Sequence, residues 1–245
     1  MKETIYTIPV NEVFIKECFC PFCSLFKRLE EEEVKYALGP AMMEPDYRAV
    51  TNEKGFCERH MHKVNALPKA LALSLVIESH FEKVKDTLKF DFKMKDKKPL
   101  FKKSDDKREE YAKELKELNS ECAICSKINR HFLRYVDTFV DMLKDKEFLE
   151  KVKNCDGFCM PHYEKIIDSC VKKLSKKDFL KIGEILHSVQ MKKFEKYESD
   201  IKTFIESFDY KNAGKPCIAP GDTVLRASQF LNGEFEKPSK KLEDV

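Results

Sequence analysis

Tryptophan is absent from the chain, and glycine is scarce, with 7 among 245 residues. Glycine therefore makes up about 3% of the sequence, less than half of the ~7% that is usual in proteins. Because β-hairpins rely on glycine in their tight turns, this shortage argues against a barrel or sandwich of many strands.

Long apolar runs and a large net charge are also missing. The longest apolar run, 70–77, is interrupted by Ser74 and is far shorter than the ~20 residues that cross a bilayer. The opening sequence MKETIYTIPV lacks the apolar stretch of a secretory signal. A net charge of +3 provides no general attraction to nucleic acid or to an anionic membrane. We therefore expect a cytoplasmic protein with no membrane span, for which nucleic acid is not the favoured partner.

Cysteine, by contrast, is abundant, with 10 residues. This is below the share of more than ~8% that marks small disulfide scaffolds. In a reducing compartment, grouped cysteines are more often metal ligands or redox thiols than structural disulfides.

An internal repeat organises these cysteines. Each copy has a Cys-x2-Cys pair followed by Gly-Phe-Cys-x2-His, and all four ligand-type residues recur after the same offset of 102 residues. The copies contain Cys20, Cys23, Cys57 and His60, and Cys122, Cys125, Cys159 and His162. Farther along, Phe-Glu-Lys recurs at an offset of 113 residues, starting at Phe81 and Phe194. This second match implies an insertion in the second copy.

The spacing of apolar residues predicts helices in both copies. Apolar positions step by three and four over 128–143 and 166–208, as on one face of an amphipathic helix. Ser175 and Asp178 form a predicted capping box within the second range. The first copy has predicted helices over about 24–38 and about 60–89.

Two prolines and one short segment depart from this predicted helical pattern. Gly39-Pro40 ends the first predicted helix, and Pro68 begins or kinks the second. Only residues 4–10 look like a strand.

We therefore expect an all-α protein of two duplicated helical units, each clipped by a metal site. The first unit is predicted at 1–92 and the second at 119–210. A charged linker leads into a helix over 93–118, and a tail with a short helix occupies 211–245. The lysine-rich part of the linker, 93–103, is interpreted as a solvated connector, with phosphate binding as the alternative.

Three thiolates and one imidazole form a ligand set that tetrahedral zinc accepts. Each ligand pair precedes a predicted helix, whose positive end favours thiolate over thiol. The spacing favours ligands from one copy at each site, while exchange of ligands between copies stays open. The two predicted zinc sites are Cys20, Cys23, Cys57 and His60, and Cys122, Cys125, Cys159 and His162. An iron–sulfur cluster is the alternative cofactor.

The remaining candidates for metal binding are weaker. Three residues lie close enough to replace a named ligand: Cys18, Cys155 and His62. The second copy has Glu164 at the position of His62, which favours His60. Cys170 fits the core face of a helix, and Cys217 has no repeated ligand role.

Catalytic patterns receive little support from the sequence. Cys20-Pro-Phe-Cys23 matches the thioredoxin motif, but no strand and mixed sheet are predicted around it. His80-x-Glu82 matches half of the zinc deaminase pattern, while Glu121 stands where the other half needs proline. We predict a zinc protein that binds or scaffolds a partner, with a protein as candidate partner. The alternatives are an iron–sulfur or thiol redox protein and a nucleic-acid-binding zinc protein.

One segment, 39–48 (Gly-Pro-Ala-Met-Met-Glu-Pro-Asp-Tyr-Arg), has no counterpart in the second copy. Its polar residues Glu44, Asp46 and Arg48 are candidate contacts for a substrate or partner. The alternative is a return loop whose methionines fill the core.

This segment, the two cysteine–histidine units and the closing sequence Asp-Thr-Val-Leu-Arg-Ala-Ser-Gln-Phe-Leu-Asn-Gly at 222–233 resemble an uncharacterised family of Firmicute bacteria, classed as a domain of unknown function. The resemblance covers essentially the whole chain. It implies a stand-alone cytoplasmic protein of bacterial origin and brings no activity or partner with it.

Overall fold

The structure, a computed structural model, describes residues 3–15, 18–92, 107–212 and 216–234. Within these ranges the chain forms eleven α-helices and two short 3-10 segments, with no strand, which confirms the all-α class. The helices are α1 (Thr7–Val13), α2 (Pro21–Ala37), α3 (Pro45–Lys54), α4 (Glu58–Asn65), α5 (Ala70–Thr87), α6 (Lys107–Ser120), α7 (Ala123–Met142), α8 (Lys146–Lys153), α9 (Met160–Lys173), α10 (Lys176–Glu206) and α11 (Thr223–Asn232). The 3-10 segments are Pro40–Met43 and Tyr210–Asn212.

The chain divides into two compact units. Unit 1 contains Met1–Lys27 and Phe132–Val245, and unit 2 contains Arg28–His131. These units do not coincide with the repeat copies at 1–92 and 119–210. The divisions fall inside α2 and α7, so that each unit combines a Cys-x2-Cys pair from one copy with the rest of the other. Residues 93–106, which include the lysine-rich stretch of the predicted linker, lie outside the described residues.

Aromatic side chains form the core of unit 1. The Phe139 ring stacks on Phe14 with centroids 5.3 Å apart and meets Phe22 edge-on at 5.2 Å. Phe158 joins the same cluster, 5.9 Å from Phe139. All four rings are buried, and such aromatic pairs add to the free energy of burial. Phe22 and Phe158 adjoin cysteines in sequence, so the core fixes the backbone that carries these cysteines.

In unit 2, helix α5 packs against α3, α4 and α6. A polar cluster joins other helices of this unit. Tyr47 Oη donates to Glu33 Oε1 at 2.9 Å, and Lys127 Nζ lies 3.1 Å from Glu33 Oε2. The same ammonium lies 3.5 Å from the ring centroid of Tyr36, a cation–π contact. Glu33 is therefore buried with partners for its charge, as a carboxylate in a protein interior requires.

The strand-like pattern at 4–10 forms no strand, because a turn at residues 5–6 leads into a helix from Thr7. Helix α1 begins at Thr7, whose N–H donates to Thr4 Oγ1 at 3.1 Å. Pro9 lies in the first turn, where a missing N–H costs nothing. Val10 is fully buried, so tertiary packing outweighs the strand preference of the local sequence.

Two predicted helix boundaries are confirmed. The helix expected over 60–89 separates near Pro68 into α4 and α5. The Ser175 side chain caps α10 by accepting from Asp178 N at 3.1 Å. Only this half of the capping box forms, because the Asp178 carboxylate accepts from Ser175 Oγ at 2.7 Å.

Glycines turn the chain into α4 and α9. Gly55 has φ of 55° and Gly157 has φ of 82°, and each lies two residues before the cysteine that precedes the helix. A Cβ on Gly55 would lie 2.6 Å from His80 Nε2, and one on Gly157 would lie 3.3 Å from Lys193 Cβ. His80 and Lys193 are counterparts at the repeat offset of 113 residues. The second part of the repeat is therefore also visible in the structure.

We expect Gly55→Ala to destabilise the protein by ~1–3 kcal/mol, because alanine would be strained at this φ and would collide with His80. Gly183→Ala is the matched control, since a Cβ at Gly183 in α10 meets nothing within 4 Å. The control should raise stability by ~0.5–1 kcal/mol. Urea unfolding of both variants measures the difference, and equal stabilities would show that Gly55 is not constrained.

Candidate metal centres

The structure gathers the eight predicted ligands into two groups. Centre 1 consists of Cys20, Cys23, Cys159 and His162, and centre 2 of Cys57, His60, Cys122 and Cys125. In each group the potential ligand atoms all lie within 4.8 Å of one another. The expectation of ligands from one copy is therefore wrong, because each Cys-x2-Cys pair meets the Gly-Phe-Cys-x2-His of the other copy.

Helix starts present these ligands. The Cys-x2-Cys pairs lie at the beginnings of α2 and α7, while Cys57 and Cys159 directly precede α4 and α9. His60 and His162 follow in the first turn of those helices, three residues after the cysteine. Residues three apart in a helical turn face the same side, so one thiol and one imidazole point together. Free N–H groups at a helix start also favour a thiolate.

Centre 1 lies within unit 1. His162 Nδ1 is 3.1 Å from Cys159 Sγ, 3.4 Å from Cys23 Sγ and 3.6 Å from Cys20 Sγ. The Sγ atoms of Cys23 and Cys159 are 3.7 Å apart. All three cysteines are buried and the histidine is half-buried.

Centre 2, within unit 2, repeats this geometry. His60 Nδ1 is 3.2 Å from Cys125 Sγ, 3.3 Å from Cys57 Sγ and 3.4 Å from Cys122 Sγ. The Sγ atoms of Cys57 and Cys125 are 3.8 Å apart. The burial pattern differs, because Cys57 and Cys125 are half-buried whereas His60 and Cys122 are buried.

No disulfide closes either centre. All ten cysteines are free, and the Sγ–Sγ separations of 3.7 Å in centre 1 and 3.8 Å in centre 2 far exceed the ~2.05 Å of a disulfide bond. The ligand groups are therefore thiols or thiolates.

In centre 2, ionisation of one thiol disfavours ionisation of its neighbour. Burial opposes ionisation of Cys122, but hydrogen bonds to His60 and to backbone N–H groups outweigh it and lower the pKa of Cys122 to about 6. Burial and the neighbouring Cys122 thiolate raise the pKa of Cys125. Burial works against protonation of His60, yet contacts with Cys122 and Glu30 raise the pKa of His60 to about 9. Adjacent thiolates thus repel one another, and a bound cation would relieve this repulsion.

Centre 1 behaves in the same way. Although burial opposes ionisation of Cys20, hydrogen bonds from Cys159, Cys23 and His162 lower the pKa of Cys20 well below its usual value. Hydrogen bonds with Cys159 and Cys20, followed by burial, raise the pKa of Cys23. In both centres one thiolate forms at the expense of its neighbours.

A buried carboxylate supports the histidine of centre 2. Glu30 Oε1 lies 3.1 Å from His60 Nε2, on the side of the ring opposite the thiols. Glu30 is 2% exposed and is also bound by Arg59 Nη2 at 2.8 Å and Lys63 Nζ at 2.8 Å. Burial raises the pKa of Glu30, but His60, Lys63 and Arg59 together lower it to about 2. The carboxylate is thus ionised and oriented towards the imidazole.

Aromatic rings surround the histidine of centre 1 instead. The ring centroid of Phe132 lies 5.1 Å from that of His162, and Phe22 lies 6.1 Å away. Both phenylalanines belong to the core of unit 1 and are buried. The two centres therefore have the same donor atoms in different surroundings.

A buried lysine adjoins centre 1. Lys193 is 3% exposed, and Nζ donates to Phe19 O and, at 3.5 Å, to Gly157 O. Burial lowers the pKa of Lys193, while Cys20 and then Asp156 act to raise it. Its positive charge thus lies where thiolates can compensate it.

Gln190 fixes the backbone beside Cys159. Its Oε1 accepts from Phe158 N at 3.2 Å, and its Nε2 donates to Phe158 O at 3.1 Å. One buried side chain from α10 therefore satisfies both backbone groups of the residue before a ligand.

The C-terminal helix α11 ends at centre 1. Glu234 N donates to Cys23 Sγ at 3.4 Å, and a Cβ on Gly233 would lie 3.9 Å from Cys159 Sγ. Gly233 has φ of 88°, a conformation that glycine adopts without strain. Phe230 packs on Tyr197 of α10 at 5.5 Å, which holds α11 in this position. The sequence did not predict a role for this tail in the site.

The other cysteines and histidines take no place among the two described ligand groups. The candidates Cys18, Cys155 and His62 are absent from both groups. Cys18 Sγ instead lies 3.8 Å from Val13 O, Cys170 is buried in α9, and Cys217 is exposed. His80 Nδ1 contacts Asn52 O at 2.8 Å.

The segment 39–48 forms the 3-10 segment and the start of α3. Glu44 accepts from Tyr36 Oη, and Arg48 Nη2 donates to Leu75 O at 3.1 Å and to Ser79 Oγ. Asp46 is exposed in the first turn of α3. Met43 is 87% exposed, so this methionine does not fill the core. A partner contact at Glu44, Asp46 and Arg48 stays a prediction.

Glu30 and Lys193 are two charged neighbours of the candidate ligands that the sequence pattern did not predict. The repeat offsets place them at the positions of Phe132 and His80. Because neither residue type is kept between the copies, the repeat carried no signal for them. Only their burial in the structure distinguishes them from ordinary charged residues on helix faces.

Comparison with known proteins identifies the family. In the part of the chain that the structure describes, no helix combines the length and apolar character needed to cross a membrane. No curated protein matches the chain, and no solved structure matches it. A family of unknown function matches residues 1–238, which is nearly the whole sequence. The chain therefore belongs to this family of unknown function, DUF6062.

Proposed function

We propose that each centre binds one zinc ion as a structural metal and that the protein is a zinc-stabilised helical scaffold. A tetrahedral ion with Zn–S bonds of ~2.3 Å and Zn–N bonds of ~2.0 Å separates two sulfurs by about 3.8 Å and a sulfur from a nitrogen by about 3.5 Å. The Sγ–Sγ separations of 3.7 and 3.8 Å match the first edge, and the Sγ–Nδ1 separations of 3.1–3.6 Å lie within about 0.4 Å of the second. This agreement carries the proposal.

The donor set also supports a structural role. Four protein ligands complete a tetrahedron and leave no position for water or substrate, unlike the three ligands of a catalytic zinc site. Four donor atoms within 4.8 Å of one another suit a single ion better than a cluster of several iron and sulfide atoms. A binding or scaffold role therefore fits the centres better than hydrolysis or electron transfer.

A reducing compartment such as the cytoplasm suits this function. Zinc ligation requires thiolates, and all ten cysteines of the chain are free. A protein is the partner that we propose for the scaffold, because the net charge of +3 provides little attraction for nucleic acid.

Elemental analysis tests the metal directly. Protein purified under anaerobic conditions should contain about two zinc ions per chain and be colourless. Chelation in the presence of a reductant should abolish cooperative thermal unfolding, because metal binding contributes directly to the free energy of folding. Iron with visible absorbance would support the redox alternative instead, and a metal-free protein with an unchanged melting temperature would contradict both.

Pairs of serine variants test which ligands share an ion. Cys23→Ser with Cys159→Ser should remove one zinc ion, since both residues belong to centre 1. Cys23→Ser with Cys57→Ser should remove both ions, because each substitution damages a different centre. Zinc counted by native mass spectrometry separates these outcomes. Ligation within each copy would give the reverse pattern and would contradict the exchanged arrangement.

The tail should stabilise centre 1 in particular. Gly233→Ala strains a residue at positive φ, at a cost of ~1 kcal/mol or more. The strain should displace the neighbouring Glu234 N–H, which donates to Cys23 Sγ. We expect easier chelation of one zinc ion and a lower melting temperature. Gly221→Ala is the control, because a Cβ there meets nothing within 4 Å. Identical behaviour of the two variants would show that the tail does not support the centre.

A further inference from the structure

One repeat position contacts the histidine in both centres. Glu30 and Phe132 follow their Cys-x2-Cys pairs by the same seven residues and correspond at the offset of 102. Glu30 Oε1 lies 3.1 Å from Nε2 of His60, and the Phe132 ring centroid lies 5.1 Å from that of His162. The same position therefore presents a charged acceptor to one histidine and an apolar ring to the other.

We propose that Glu30 is a positioning residue for His60 which makes centre 2 the tighter metal site, so that centre 1 loses its metal first. The inference rests on the proposed binding of one zinc ion at each centre. Beyond that proposal, the inference specifies the order in which the two ions are released and a form of the protein that holds a single ion.

A carboxylate on Nε2 changes the histidine as a ligand in two ways. It holds the proton on Nε2, so that Nδ1 presents its lone pair to the thiol side, and it makes the ring more basic. Loss of such a partner typically costs ten- to hundredfold in metal affinity. At His162, by contrast, the contacts with other described residues at hydrogen-bonding distance are made by Nδ1, towards the three thiols.

Glu30 is itself held in position. Arg59 and Lys63 each contact its carboxylate at 2.8 Å, and its side chain is 2% exposed. A restrained carboxylate loses little freedom when the histidine binds a metal, and therefore retains the full benefit of the hydrogen bond.

The solvent exposure of the cysteines would favour the opposite order, in which centre 2 loses its metal first. Cys57 and Cys125 of centre 2 are half-buried, whereas all three cysteines of centre 1 are buried. Exposure chiefly increases the rate at which a chelator reaches the ion, while the carboxylate changes the equilibrium affinity. The two effects separate when the measurement is made at equilibrium.

The experiment equilibrates the two-zinc protein with increasing chelator under anaerobic, reducing conditions. Native mass spectrometry counts the bound zinc, and brief alkylation with peptide mapping locates the released cysteines. We expect a one-zinc form in which Cys20, Cys23 and Cys159 are alkylated. In the same form, Cys57, Cys122 and Cys125 should remain protected.

Substitution of Glu30 tests the cause. Glu30→Gln should lower the zinc affinity of centre 2 ten- to hundredfold and leave the affinity of centre 1 unchanged. Glu30→Asp should restore part of the loss, because it keeps the charge. Phe132→Leu is the matched control at the equivalent position and should not change centre 2. If Glu30 acted only through packing, the nearly isosteric Glu30→Gln would leave the zinc affinity of centre 2 unchanged.

Three outcomes would overturn the inference. The first is release of centre 2 before centre 1 at equilibrium, and the second is unchanged centre 2 affinity in Glu30→Gln. Either can occur while two zinc ions bind, and the proposed function then stands. The third is failure of the chain to bind zinc at all, which would overturn the proposed function as well.

Discussion

The meeting of four donor atoms at one point is the constraint on which each unit depends. In each centre, two pairs of ligands come from two different helix starts, and these must approach to within 4.8 Å. Structural zinc contributes ~10–16 kcal/mol in small zinc domains, whereas a whole domain is stable by only ~5–15 kcal/mol. An ion of this strength at each proposed zinc site would decide whether the helix starts stay together. The aromatic core and the polar cluster around Glu33 then determine how each helix continues from that point.

The exchange of ligands between copies shows what spacing in the sequence can and cannot determine. All eight candidate ligands were predictable, because residue types and a common offset reveal them without knowledge of the fold. Their grouping into two centres was not predictable. The expected pair, Cys23 and Cys57, is 34 residues apart, whereas the observed pair, Cys23 and Cys159, is 136 residues apart. A fourfold longer loop costs only ~1.2 kcal/mol in closure entropy. Packing of the helices easily exceeds that difference, so proximity along the chain is weak evidence for a shared ion.

The fold was predictable to a similar degree. Helical periodicity predicted the all-α class and the break near Pro68, since apolar spacing reflects which helix face is buried. It failed at residues 4–10, where burial of Val10 decides the conformation. It also could not find Glu30, Lys193 or the role of Gly233. These residues act through contacts with distant parts of the chain, and such contacts leave no periodic pattern.

The differences between the copies follow the charges of the centres. With a divalent ion, three thiolates leave each centre with one formal negative charge. At centre 1, the buried Lys193 supplies one positive charge. At centre 2, Glu30 adds a second negative charge, and Arg59 and Lys63 bind it. With the proposed ion bound, each centre and its close neighbours would thus be neutral overall, as burial requires.

Lys193 also compensates for a missing hydrogen bond. In unit 2, Ala123 N donates to Gly55 O at 3.0 Å. The repeat places Pro21 at the position of Ala123, and proline has no N–H to donate. In unit 1, Lys193 Nζ donates to the corresponding carbonyl of Gly157 at 3.5 Å. A proline at the start of α2 therefore leaves a carbonyl that needs another donor, and a buried lysine both satisfies it and balances the thiolates. His80, the counterpart of Lys193 in the other unit, contacts Asn52 O at 2.8 Å instead, and the Gly55 carbonyl already has its donor in Ala123 N.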